Sequence, residues 1–176
     1  MKKLLLLLLF VIGTLAVNAQ TKEETIAFIN KKLQKSLDLE TYTSSDNFKT
    51  KIKSVKLSID TAYTVLFETT KEMTYGEKNI SVSRQYFDPS EITGIALISE
   101  KPNKYGMGYF SVTFDKQAIK AEGSLNGVKS KGSTHNSFSV DFYQKDKKDY
   151  SELRTAFLRL RTLYIEMQSA RYLQRN

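Results

Sequence analysis

The chain has 176 residues, 40% of them hydrophobic, and 27 Lys and Arg against 19 Asp and Glu give it a formal charge of +8. It holds no cysteine and a single histidine. Disulfide bracing, thiolate metal sites, cysteine nucleophiles and multi-histidine metal centres within one copy are therefore excluded, and stability must come from a buried core.

Lys2 and Lys3 precede an apolar run from Leu4 to Val17 that ends at Val17-Asn18-Ala19. A charged start, an apolar middle and small residues before Gln20 form the layout of a secretory signal peptide cut after Ala19. The run is shorter than the roughly 20 apolar residues of a spanning helix, so no transmembrane segment is expected after cleavage. No cysteine follows the cut to carry a lipid. The expected organisation is a cleaved leader over 1–19 and a single globular domain over 20–176, periplasmic or secreted.

Loss of Lys2 and Lys3 leaves a charge of +6, unevenly spread: residues 20–100 sum to −1 and residues 101–176 to +7. Exposed positive charge steers anions, so the second half is either a surface for an anionic envelope component or another protein, or a solvated basic surface with no single partner. Export and the lack of any recognition motif argue against nucleic acid.

Thr21 followed by Glu24 has capping-box spacing, and Ile26, Ile29, Leu33 and Leu37 recur on one helical face. This predicts an N-terminal helix, with Lys31, Lys32 and Lys35 near its negative end. A polar connection over Asp38 to Thr50 follows. From Lys51 the period changes to two. Val55, Leu57 and Ile59, then Tyr63, Val65 and Phe67, predict two strands joined as a hairpin through Asp60 to Ala62. Ile80 to Tyr86 predicts a third strand, stopped by Asp88-Pro89-Ser90, and Ile92 to Ile98 a fourth. Phe110, Val112 and Phe114 alternate in a fifth over Tyr109 to Phe114, Gln117 to Gly123 is a weaker sixth, Gly127 to Ser133 a loop, and Ser137 to Tyr143 the seventh.

Asp149 to Tyr172 contains neither Gly nor Pro and places Leu153, Ala156, Phe157, Leu160, Leu163, Tyr164, Met167 and Ala170 on one stripe. A long C-terminal helix packed on the sheet is predicted, starting near Asp149 or Ser151. Leu158, Ile165 and Tyr172 stand seven apart on nearly the opposite side, with Arg154 and Arg161 beside them. That second row is covered by the N-terminal helix, or consists of three semi-exposed apolar residues that need no explanation, or serves as a partner surface or homodimer seam.

The expected fold class is α+β, a bent antiparallel sheet or partly open barrel of about seven strands with a long C-terminal helix and an N-terminal helix. This order of elements, over Lys51 to Tyr172, resembles the pleckstrin-homology-like barrel, in which seven strands are closed at one end by a C-terminal helix. Phosphoinositide-binding members of that family carry basic residues by the first hairpin loop. Here Ile59-Asp60-Thr61-Ala62-Tyr63 has none, so the resemblance implies no inositol-lipid site. The chain is also similar in composition to short exported proteins of unknown function from Bacteroidetes.

His135 stands in a Ser/Thr/Gly-rich stretch beside Ser133 and Ser137. Nucleophilic catalysis also needs a third group to orient the base and an oxyanion site, and neither can be read there. With Lys129 and Lys131, His135 forms a candidate anion-binding loop. No catalytic residue, metal ligand or cofactor motif is assigned. The reading is a non-catalytic binding or interaction module of the cell envelope, its ligand anionic if the charge is used. The alternative is a small envelope hydrolase whose carboxylates converge only in the fold.

Overall fold

The computed structural model describes residues 21–40, 48–99 and 101–175. The leader and the middle of the polar connection, residues 41–47, lie outside the described residues. The elements in order are α1 (Lys22–Leu33), a short 3-10 turn (Gln34–Ser36), β1 (Phe48–Ile59), β2 (Val65–Tyr75), β3 (Glu77–Phe87), a 3-10 turn (Pro89–Glu91), β4 (Ile92–Leu97), β5 (Met107–Phe114), β6 (Ile119–Leu125), β7 (Val128–Lys129), β8 (Ser133–His135), β9 (Ser137–Tyr143) and α2 (Lys147–Arg175). The fold is α+β, with two antiparallel sheets that stay open among the described residues: β1-β2-β3-β6-β7, with β8 also on β6, and β4-β5-β9.

Register makes the two sheets parts of one bent surface. Tyr86 pairs with Lys120 and, past the turn, Ile92 pairs with Phe114. Likewise Ile119 pairs with His135, and Thr113 with Ser137. Three chain segments therefore bend at one level, at 88–91, 115–118 and 136. The Phe114 N–H donates to the Asn136 carbonyl across the bend at 2.8 Å. Seven expected strands become nine because the stretch around the expected loop at 127–133 carries two short pieces, β7 and β8.

Folding the sheet over brings phenylalanines from both halves together. The Phe138 ring lies 5.4 Å from Phe67, 5.1 Å from Phe87 and 6.2 Å from Phe114. Beyond the bend, Phe110 meets Phe142 at 5.5 Å and Phe157 of α2 at 5.6 Å. Alternation explains the composition of this core: Phe110, Val112, Phe114, Phe138, Val140 and Phe142 all face inward and are buried.

The expected capping box is present, with Thr21 Oγ1 accepting from Glu24 N and Glu24 Oε2 from Thr21 N. Leu37 falls outside the helix in extended conformation and is exposed. β1 starts earlier than Lys51 and buries Ile52, Val55 and Leu57 across a bulge, while Ile59 is 40% exposed. The first hairpin turn spans 60–64, closed by Asp60 N–H to the Thr64 carbonyl, which leaves Tyr63 outside β2. α2 starts at Lys147, where Asp146 Oδ1 accepts from Lys148 N and Asp149 lies in the first turn. Its stripe buries Leu153, Ala156, Phe157, Leu160 and Tyr164, with Met167 half-buried on the core, but Ala170 is exposed because α2 has by then outrun the sheet.

α1 lies antiparallel on α2. Lys22 Nζ approaches Met167 Sδ at 3.6 Å and the Tyr164 ring centroid at 5.3 Å. At the other end Lys32 pairs with Glu152 and, at 3.5 Å, with Asp149. No helix among the described residues is long and apolar enough to cross a membrane.

Candidate functional site

The bend creates a groove of about 250 Å3 between the inner face of β2-β3 and the start of β9, lined by Phe67, Thr69, Ser83, Gln85, His135, Ser137, Phe138 and Ser139. Register explains the lining. Phe67 pairs with Gln85 and Thr69 with Ser83, so all four share the inward face. His135 reaches the same face because it pairs with the buried Ile119. Its Nε2 stands 2.8 Å from Ser133 Oγ. Gln85 Nε2 donates to Ser83 Oγ at 3.0 Å, whereas Gln85 Oε1 is buried with no hydrogen-bond partner among the described residues.

Of the loop residues expected beside His135, Lys129 stands well away from it. Lys129 pairs with Ser124, while His135 pairs with Ile119, five residues away along β6 and so about 17 Å at strand spacing. Lys129 and Lys131 are exposed, and the Ser130 N–H between them is spent on the Gly123 carbonyl at 2.8 Å. The three side chains do not form one cradle.

The second row of α2 divides along its length. Leu158 is half-buried and packs on the core, Arg161 is half-buried, and Arg154, Ile165 and Tyr172 are exposed, Tyr172 by 72%. α1 covers another flank, the one bearing Asp149, Glu152, Tyr164 and Met167, so it does not cover this row. At 100° per residue the three acids of α2 fall outside the row. Two are held by Lys32, and Glu166 sits 4.0 Å from Arg159. Near the helix end the Arg171 guanidinium lies 4.4 Å over the Tyr63 ring.

A second, open hollow of about 510 Å3 is lined by Asp60, Asp88, Glu91 and Glu122 beside Lys120. These acids come from the hairpin turn, the corner and β6, and no spacing in the sequence announces their meeting. Several are engaged: Asp88 accepts from Ser90 N, Ser90 Oγ and Gln168 Nε2, and Glu122 pairs with Lys120 at 2.9 Å. That pair lowers the Glu122 carboxyl below its usual range. Among the described residues no group of three or more His, Asp or Glu is placed to hold a metal ion.

No family model, curated protein or solved structure matches this chain.

Proposed function

We propose that the chain is an exported, non-catalytic binding module of the cell envelope that meets an anionic surface through the outward row of α2. The observation carrying this reading is that Arg154, Ile165 and Tyr172 stand exposed on a row to which α2 contributes no acid, its carboxylates being directed to Lys32 and Arg159, while Arg161 is half-buried at the edge of the row in a hollow that Glu91 and Asp115 also line. Cations interleaved with apolar side chains on one helical face favour an anionic interface over neutral water. The likeness to the pleckstrin-homology-like barrel belongs to this proposal and rests on element order, with strands first and a long helix last.

The test is sedimentation of the purified protein with vesicles of phosphatidylglycerol or of phosphatidylcholine. Preference for the anionic vesicles, weakened by salt and by Arg154→Gln with Arg161→Gln, supports the reading. Equal binding to both at low salt overturns it. A second reading, a small envelope hydrolase, is favoured by one observation, the four carboxylates around the hollow at Asp60 and Glu122. Hydrolysis of a glycoside or ester substrate that is lost in Glu91→Gln, with folding unchanged, would support it over the first.

A further inference from the structure

The edges of the bent sheet are treated differently. β1 is blocked along its length: the Asn30 side-chain amide bonds both backbone groups of Leu57, Asp38 N–H donates to the Ile52 carbonyl at 2.8 Å, and Glu40 bridges to Lys51. Among the described residues β9 is the other long edge. Phe114 N–H donates to the Asn136 carbonyl and Gln144 N–H to the Gly106 carbonyl, both at 2.8 Å, so the even-numbered residues of β9 spend their backbone groups on β5. By the alternation of an antiparallel ladder, Ser137, Ser139 and Asp141 turn theirs outward. At Asp141 the edge is closed off, because the side chain takes Lys71 Nζ at 2.5 Å. At Ser137 and Ser139 it opens into the groove.

We propose that this groove receives an extended polypeptide segment, added to β9 as a further strand through backbone bonds to Ser137 and Ser139, with one peptide N–H donated to Gln85 Oε1 once that side chain turns into the groove. Three features select this ligand class. Backbone donors and acceptors recurring every second residue repeat at about 6.8 Å, the repeat of another strand. Gln85 Oε1 has no partner among the described residues, and once its side chain turns toward the groove a peptide N–H is the matching donor. Thr69 and Ser83, under the incoming strand, are uncharged and small, which suits an amide backbone. A sugar would instead be expected to stack on an open ring, but Phe67 and Phe138 are only 3% and 7% exposed. This surface shares no residue with the outward row of α2, so the two proposals fail independently.

The probe is acetyl-(Thr-Val)3-amide, compared with the same peptide N-methylated at alternate residues, added to the isotope-labelled protein while backbone amide resonances are followed. Saturable shifts centred on Ser137, Ser139 and Gln85 are expected, with affinity at least about tenfold weaker for the methylated peptide, as loss of a hydrogen bond or two implies. Ser139→Pro, which removes an outward N–H at a sheet edge where proline is tolerated, should lower affinity similarly. Ser139→Ala should not. Equal affinity for both peptides, no saturable shift at millimolar peptide, or shifts at these residues produced by maltohexaose and not by the peptide would overturn the proposal. Should Ser139→Pro fail to fold, the methylated peptide still decides the question.

Discussion

The side chain of Asn30 in α1 acts as a strand partner for Leu57 in β1: its Nδ2 donates to the Leu57 carbonyl at 2.8 Å and its Oδ1 accepts from the Leu57 N–H at 2.7 Å. One amide side chain thus reproduces the two bonds of a ladder pair, joins helix to sheet and blocks part of an edge that would otherwise be a template for another chain. Asn30→Ala leaves both backbone groups without these partners. A loss of about 2 to 3 kcal/mol is expected in chemical denaturation. Asn30→Asp keeps the acceptor but sets a carboxylate against the Leu57 carbonyl, and should also destabilise. A change below about 0.5 kcal/mol for both would show that water replaces the amide without cost.

Gly108 in β5 faces Gln144, and a Cβ there would stand 2.1 Å from Gln144 Oε1 and 3.0 Å from the Phe142 ring. Gln144 is 3% exposed and its neighbour Phe142 is buried, so neither can simply swing away. Gly108→Ala is expected to cost about 1 to 3 kcal/mol by overpacking. Thermal denaturation measures it. Restoration by the double variant Gly108→Ala with Gln144→Ala would trace the cost to this contact.

Phe138 sits where the folded sheet closes on itself, touching rings from β2, β3 and β5. Phe138→Ala should cost about 3 to 5 kcal/mol. Tyr172→Ser, at the exposed end of α2, should stay within about 0.5 kcal/mol. Leu158→Glu should destabilise more than Ile165→Glu, because Leu158 packs on the core and Ile165 does not. Equal effects of the last two variants would place Ile165 in the core as well.

The clamp between Lys32 and the first turn of α2 should appear in the pH dependence of stability. The bond to Lys32 holds the Glu152 carboxyl below the usual range. Burial pushes the Asp149 carboxyl up, but backbone N–H groups of Asp146 and Lys145, together with Lys32, outweigh it and bring it below that range too. Lys32 is raised in turn, chiefly by Glu152. Depressed carboxyls contribute stability above their unfolded pKa of about 4, lost as pH falls through the folded values. The raised Lys32 contributes below about 10.4, lost as pH rises through its folded value. Lys32→Met should therefore lower stability between about pH 5 and 10 and flatten both limbs of the profile. An unchanged acid limb would remove the clamp from the account.

Tyr164 is fully buried, and its hydroxyl has no hydrogen-bond partner among the described residues. Burial, with the Asp88 and Glu23 carboxylates adding to it, pushes the phenol up to about 12. Between about pH 10, where the unfolded phenol ionises, and 12 the native state keeps a proton the unfolded state has lost, so stability falls as pH rises. Tyr164→Phe removes that fall and should stabilise the protein by up to about 1 kcal/mol at neutral pH. Destabilisation at neutral pH would mean that a bound water satisfies the hydroxyl.

Much of this molecule follows from local pattern. Thr21 and Glu24 predict the start of α1, because a cap is a bond between residues three apart. Phe110 to Phe114 and Phe138 to Phe142 predict strands with an aromatic inner face, because alternation is a property of the strand itself. The stripe from Leu153 to Tyr164 predicts the buried side of α2. The charge of the second half is likewise legible in composition alone.

Tertiary structure decided what depends on register and on bending. Where β3 becomes β4 and β5 becomes β6, no single segment dictates the corner; it exists because three neighbouring strands turn at one level and Phe138 then closes on Phe67 and Phe87. The groove follows from that closure, since Thr69, Ser83 and the pair His135 and Ser139 come from three separate stretches of the chain and meet only through the bent sheet. The separation of Lys129 from His135, six residues apart in the chain, has the same cause: pairing with different ends of β6 outweighs proximity in sequence. Whether α1 would cover the Leu158 row depended on where Lys22 and Lys32 find partners on α2, and those partners lie on another flank. Sequence determines local geometry because its forces act within a turn or a strand. Surfaces and sites depend on which distant segments the packing brings together.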